Sequence, residues 1–361
     1  MYKTLLLALM FYANAISAQK KVDLDRFSFT ATFRTLPAIK LDSTYRTYNV
    51  EVEGTKAMQY FLRELNPEES VVIDGWKKLP LNGHLSVKVK LDDLLPEAVN
   101  VKERVQETKD KTGKVTAIKR FYYQEVTYSF AARAVITDYK GAHISEVELA
   151  NRASKRTYRS PEFANKEIAT GYFLLNAVKV TNDLYRNCVN QSLNTLSDRI
   201  SYNYGFGTAT VRDFMWIIDS RKHPEYSAHR KAFLDFNEVI FSFNASTPIT
   251  EARARLKPMI DYFEKIKRTY TSNSKHDRKI RYASFYNLAV LYYYLDDPQM
   301  MMKEASGLVL NDFDAKDGTV FEQTALRLKN QFLTSNYTTR HFEIDTTLVR
   351  GPYEAQDKAM R

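Results

Sequence analysis

Cysteine is nearly absent from this chain: Cys188 is the only one among 361 residues. No intramolecular disulfide is possible, so the protein is held together by packing alone. Cys188 lies in the helical run Leu184-Tyr185-Arg186-Asn187-Cys188-Val189 with no histidine close by in sequence. That context reads as a buried, inert thiol and not as a nucleophile. The six histidines, His84, His143, His223, His229, His276 and His341, form no HxH, HxxxH or HExxH pair. No metal site is therefore expected. There is no GxSxG elbow, no GxxxxGK[ST], no GxGxxG and no DxDxDG calcium loop. No cofactor and no catalytic residue is expected from such a chain. The acidic pairs Glu68-Glu69, Asp92-Asp93 and Asp296-Asp297 fall in expected loops or helix ends. A glycosidase needs two carboxylates facing one another across a cleft, which sequence does not reveal.

One apolar run stands out. Met1-Tyr2-Lys3 carries a positive charge, Leu5 to Phe11 is apolar, and Ala13-Asn14-Ala15 and Ser17-Ala18 are small. This is the layout of a secretory signal peptide, residues 1–18, and the run is shorter than the roughly 20 residues of a membrane span. The expectation is an exported protein, periplasmic or extracellular. No cysteine ends the signal, so bacterial lipid anchoring is not expected, nor is an integral membrane span. A net charge of +10 admits an anionic partner, an acidic glycan or surface. Nucleic acid is not expected, because an exported protein rarely meets it, and the basic residues form no long run.

The hydrophobic pattern changes period near residue 150. Up to there it alternates, in Phe27–Phe33, Thr47–Val52 and most regularly in Leu85-Ser86-Val87-Lys88-Val89-Lys90-Leu91. Such strands have one dry and one wet face. Residues 114–119 and 121–135 read as two strands or one long bent one, 144–149 as a last strand, and 100–119 as a charged, exposed hairpin. Turn signals lie at Leu36-Pro37, Asn82-Gly83, Lys111-Thr112-Gly113-Lys114 and Lys140-Gly141. A short helix is expected over 55–65. The expectation for 19–150 is an antiparallel β-sandwich-like domain.

From Ser160-Pro161-Glu162, a good helix start, the period is helical. One long helix or two should reach Tyr202, before the break at Tyr204-Gly205-Phe206-Gly207, with φ > 0 expected at one or both glycines. Further helices are expected at 211–220, 226–243, 250–270, 277–295, 298–310 and 317–334. The fold class is thus α+β: a β domain, a helical domain over 160–335 and a polar extended tail, 336–361.

Within the helical half, Phe285-Tyr286-Asn287-Leu288-Ala289 is followed by Tyr292-Tyr293 and by Asp296-Asp297 at a turn. These offsets over 282–312 resemble the tetratricopeptide repeat, where a small residue lets two helices approach and aromatics fill the groove. Met300-Met301-Met302 stands where that family has a small residue, and the closing proline is missing. The alternative is a plain helical bundle with Tyr and Phe in its core. The resemblance implies a stack of helical hairpins that binds other proteins through one face. The whole, with its export signal, abundant Tyr and Lys and a β module before such helices, resembles uncharacterised exported envelope proteins of Bacteroidetes-type bacteria. The candidate binding residues are Tyr292, Tyr293, Arg253 and Lys257, the last two in the basic row of 253–268. Trp76, beside the Gly75 turn, is the candidate platform for a sugar. The expected function is non-enzymatic binding or scaffolding of a cell-envelope protein. The alternative is a secreted glycan-binding module, or a hydrolase whose carboxylates are assembled only in the fold.

Overall fold

The computed structural model describes residues 22–354. The expected export signal and the last seven residues of the chain lie outside the described residues. The fold is α+β, with a sheet-rich region followed by helices. Its packing makes two compact units, and their division is not the expected one near residue 150. One unit joins residues 22–40 to Phe206–Ile344; the other holds Leu41–Gly205 and residues 345–354.

The second unit is built on a five-stranded sheet of order β3-β2-β4-β7-β8. Its strands are β2 (Thr47–Gly54), β3 (Lys77–Lys78), β4 (Leu85–Leu91), β7 (Ala132–Asp138) and β8 (His143–Ala150). The alternation in β4 is realised: Leu85, Val87, Val89 and Leu91 are buried and Lys88 and Lys90 are exposed. Each such aliphatic side chain contributes about 1.5–3 kcal/mol. The sheet is mixed and not purely antiparallel, because β2 runs parallel to both β3 and β4. The connection from β2 to β4 contains α1 (Lys56–Leu65) and a 3₁₀ turn (Pro67–Ser70), and a connection of that length is what a parallel pairing requires. Gly83 sits against this crossing: a Cβ there would lie 2.4 Å from the Tyr48 backbone.

A second sheet, β5-β6-β9, joins β5 (Leu95–Lys109), β6 (Val115–Ser129) and β9 (Arg156–Arg159). Beyond Phe121 the β5–β6 ribbon stands free as the expected exposed hairpin. Its turn and that of β7–β8 are built alike. Asp110 and Asp138 accept through Oδ1 from backbone N–H groups two and four residues on, and Gly113 and Gly141 take positive φ.

α2 (Lys166–Tyr204) is one uninterrupted helix of 39 residues. It begins six residues after the expected start. Ser160 continues the strand ladder instead, its N–H donating to Gln124 C=O and its Oγ accepting from Gln124 N–H, and Phe163 bridges Tyr122. Asn165 is the cap that the helix uses, accepting from Glu167 and Ile168 N–H. Buried Gln124 pins the helix to β6, accepting from Phe173 N–H and donating to Thr170 C=O. Near the other end, Ser197 and Ser201, four apart, bond the backbone of residues 70–74 as a strand would. Gly205 ends the helix with φ −86°, so the expected positive φ is not found. Its glycine is required sterically, since a Cβ would meet Ser201 O at 2.7 Å.

In the first unit, β1 (Leu24–Arg34) pairs antiparallel with β10 (Thr208–Ile218). The helix expected over 211–220 is therefore a strand. Val211, Phe214, Trp216, Ile217 and Ile218 are β-branched or aromatic, and a partner nearly two hundred residues away decides the outcome. The inward face of this ribbon carries Phe29, Ala31, Phe33, Met215 and Ile217 onto five helices. These are α3 (Tyr226–Ser242), α4 (Ile249–Thr269), α5 (Lys275–Tyr294), α6 (Pro298–Asn311) and α7 (Ala315–Ser335), each packed on the next. Asn287, buried in α5, closes the free edge of β10, accepting from Trp216 N–H at 2.9 Å and donating to its C=O at 2.8 Å. Close approach is bought at glycine: a Cβ on Gly307 would meet the Phe285 ring, and one on Gly318 would meet Ala305 O.

The residues after α7 are not a free tail. Arg340 and His341 are almost wholly buried, and Phe342 N–H donates to Ala245 C=O. In the other unit Tyr353 OH donates to Tyr139 C=O and Lys77 Nζ to Val349 C=O. Arg340 and His341 are buried with their polar groups hydrogen-bonded, although most polar residues around them are exposed.

Candidate binding surface

The residues singled out from sequence separate into three places. Tyr292 is buried in α5. Tyr293 meets Phe33 edge-on, and the Arg340 guanidinium lies between these rings, 4.1 Å from the Phe33 centroid and 4.4 Å from that of Tyr293. Arg340 also donates to Asp296 Oδ1 at 2.7 Å and to Tyr293 C=O at 2.6 Å. Asp296 takes φ 54° and accepts from Arg340 N–H and Thr339 OH. Arg253 reaches the same turn from α4, donating to Leu295 C=O at 2.7 Å. Tyr292 and Tyr293 are thus taken up by the packing around the α5–α6 turn, while Arg253, exposed on α4, is tied to that turn through its guanidinium.

Lys257 stands apart on the wet side of α4, paired with Asp261 one turn on. The basic row around it does not act as a unit. Arg255 turns to Glu238 and Ser242, Arg268 approaches Glu264, and Lys267 is buried against Glu304 and Glu264. Burial pushes the Glu304 carboxyl up from its ordinary value, against the opposing pull of Lys267. Trp76 is buried, and its Nε1–H donates to Tyr204 C=O at 2.9 Å. It caps the core beside the end of α2, so it offers no ring to a sugar.

The acidic pairs are occupied in the same way. Glu69 meets Lys78, Asp92 meets Arg152, Asp93 accepts from Thr55, and Asp297 caps α6 by accepting from Met300 N–H. Cys188 is buried, as its helical context implied, and burial raises its thiol above the ordinary value.

Three histidines converge where α3 begins, α4 ends and α5 begins, a grouping invisible in their spacing. The rings of His223 and His276 are 5.5 Å apart, and His276 Nδ1 lies 3.1 Å from Asp277 Oδ1. His223 Nδ1 accepts from Glu225 N–H. The Glu225 carboxylate accepts from Tyr262 OH at 3.1 Å and Tyr270 OH at 3.5 Å. Burial, then Glu225, pushes Tyr270 up to about 12 and raises Tyr262 as well. His229 is fully buried against Phe263 and Tyr262, and neither ring nitrogen has a hydrogen-bond partner among the described residues. Burial holds it neutral, with a pKa of about 3. Among the described residues no group of three or more His, Cys, Asp or Glu is disposed to hold a metal ion.

In this unit an open apolar stripe lies on the outer face of α3, beside its seam with α4. Leu234 and Phe241 are seven residues apart, hence on one stripe of α3, and are 62% and 86% exposed. Beside them a recess of about 250 Å³ is lined by Asp235, Glu238, Val239, Arg255, Pro258 and Met259. Pro258 lies inside α4 and has no N–H, so the Ala254 carbonyl lacks its helical donor. The stripe combines apolar side chains, paired charges and a spare acceptor, a composition suited to a protein partner. The signal for it in the sequence is weak, because Leu234 and Phe241 interrupt an otherwise regular amphipathic pattern. No helix of the described residues is long and apolar enough to cross a membrane. Compared with known families and with curated proteins, the chain matches no family model and no curated sequence.

Proposed function

We propose that this is an exported, non-enzymatic binding or scaffold protein of the bacterial cell envelope, whose helical unit recognises a protein partner. The exposed Leu234–Phe241 stripe carries the reading. A phenylalanine 86% exposed on a helix whose opposite face is packed has no role in its own fold. The neighbouring recess supplies shape, and Glu238, Asp235 and Arg255 supply a polar rim around it. Helices packed each on the next support the tetratricopeptide-like arrangement that the 282–312 pattern resembles. Export rests on residues 1–18 alone.

In-cell crosslinking from position 234 on the same stripe, followed by mass spectrometry, tests this reading. The expected result is a small reproducible set of envelope proteins, lost in Phe241→Asp while the circular dichroism and melting temperature stay unchanged. An identical capture profile for Phe241→Asp and the parent protein would refute the assignment of this face.

A further inference from the structure

The first half of α2 carries a second apolar surface, in the other unit. Ile168, Leu174, Leu175 and Val178 are 56%, 84%, 84% and 76% exposed. Taking buried Val180 as the inward direction and about 100° per residue, Gly171, Leu175, Val178 and Asn182 point outward to within about 40°. Ile168 and Leu174 flank them. The steps Ile168, Gly171, Leu175, Val178, Asn182 run 3–4–3–4, the spacing by which one helix seats another along a seam. Gly171 is a separate observation. A glycine inside a helix lowers its stability relative to alanine. Here nothing among the described residues requires it, since a Cβ would meet none of their atoms within 4 Å. It lies in the middle of the outward stripe.

We infer that this stripe is a dimer interface, in which α2 packs antiparallel on α2 of a second copy of this chain. The stripe is complementary to itself only in that direction. With the two-fold axis near Phe173, Leu175 of each copy seats on Gly171 of the other, and Ile168 of each meets Val178. Leu174 then lies beside Leu174 of the second copy on one flank, which accounts for its exposure. Large meets small at the centre, and Asn182 terminates the apolar stretch at both ends. A parallel pairing would instead put glycine against glycine and leave a gap at the centre of the seam.

Sedimentation velocity on the purified protein, from about 1 to 100 µM, tests this. A monomer–dimer equilibrium is expected. Leu175→Asp should weaken it roughly 30-fold or more, the effect of losing a central anchor, with no change in melting temperature because the side chain is exposed in the single chain. Gly171→Met should also weaken the dimer while raising the melting temperature, since it removes a helix-interior glycine. Leu174→Cys should oxidise to a covalent dimer, native Cys188 being buried. A monomer throughout the range, a dimer indifferent to Leu175→Asp, or no covalent dimer from Leu174→Cys would each overturn the proposal.

Discussion

His229→Phe should make the helical unit less sensitive to acid. His229 is fully buried among Phe263, Tyr262 and its helix neighbours, with both ring nitrogens unpartnered. Its pKa is held at about 3, against an ordinary value of 6.5. A base whose folded value is depressed binds fewer protons folded than unfolded. Its neutral form therefore imposes no penalty above pH 6.5, and stability is lost as the pH falls from 6.5 towards 3. The slope is about 1.4 kcal/mol per pH unit for one proton, so moving from pH 7.5 to 5.0 costs about 2 kcal/mol through His229 alone. Phenylalanine has nearly the same shape and nothing to titrate. The chain offers a clean readout, because it has two tryptophans, one in each unit: Trp76 and Trp216. In a Trp76→Phe background, urea unfolding followed by fluorescence reports Trp216. The pH 7.5-to-5.0 loss should be about 2 kcal/mol smaller in His229→Phe than in the parent. Other histidines, His223 and His341, contribute equally to both proteins and cancel. Equal losses in the two, within about 0.5 kcal/mol, would refute the argument that an unpartnered neutral imidazole sits there.

Three further outcomes follow from particular contacts. Arg340→Met leaves the buried Asp296 carboxylate without its cation and should cost about 3–5 kcal/mol by the same assay; adding Asp296→Asn should recover part of that, and strict additivity would contradict a coupled pair. Asn287→Leu abandons the N–H and C=O of Trp216 at a buried strand edge and should cost about 2–4 kcal/mol, so a loss under about 1 kcal/mol would mean that water replaces the amide. Gly83→Ala forces a methyl against the Tyr48 backbone and should destabilise the sheet unit, read by Trp76 fluorescence in a Trp216→Phe background; an unchanged midpoint would show that the β2–β4 crossing can relax.

The local pattern of this chain was largely decided by its sequence. Period-two alternation placed β2 and β4, because a half-buried strand needs nothing beyond two faces of different polarity, and dense charge placed the exposed β5–β6 hairpin. Helical periodicity placed α3 to α7 within two residues at most ends, and Asn82-Gly83, Gly113 and Gly141 marked turns by their backbone freedom. What required the tertiary structure was everything settled by a distant partner. The segment 208–218 has a composition compatible with helix or strand, and pairing with β1 chose strand. That pairing also makes β1 part of the helical unit, a membership that no local pattern signals. The candidate site fared likewise. Arg253 was picked out by the basic row and Tyr292 and Tyr293 by the repeat-like pattern, but what Tyr293 faces depended on Arg340, some fifty residues on, filling the space between Tyr293 and Phe33. Trp76 sits beside a glycine turn in sequence, yet its indole proton is used by Tyr204 C=O. Sequence spacing specifies which side chains share a face of their own element. Which face is then covered is a property of the partner that packs on it, and only the folded chain contains that information.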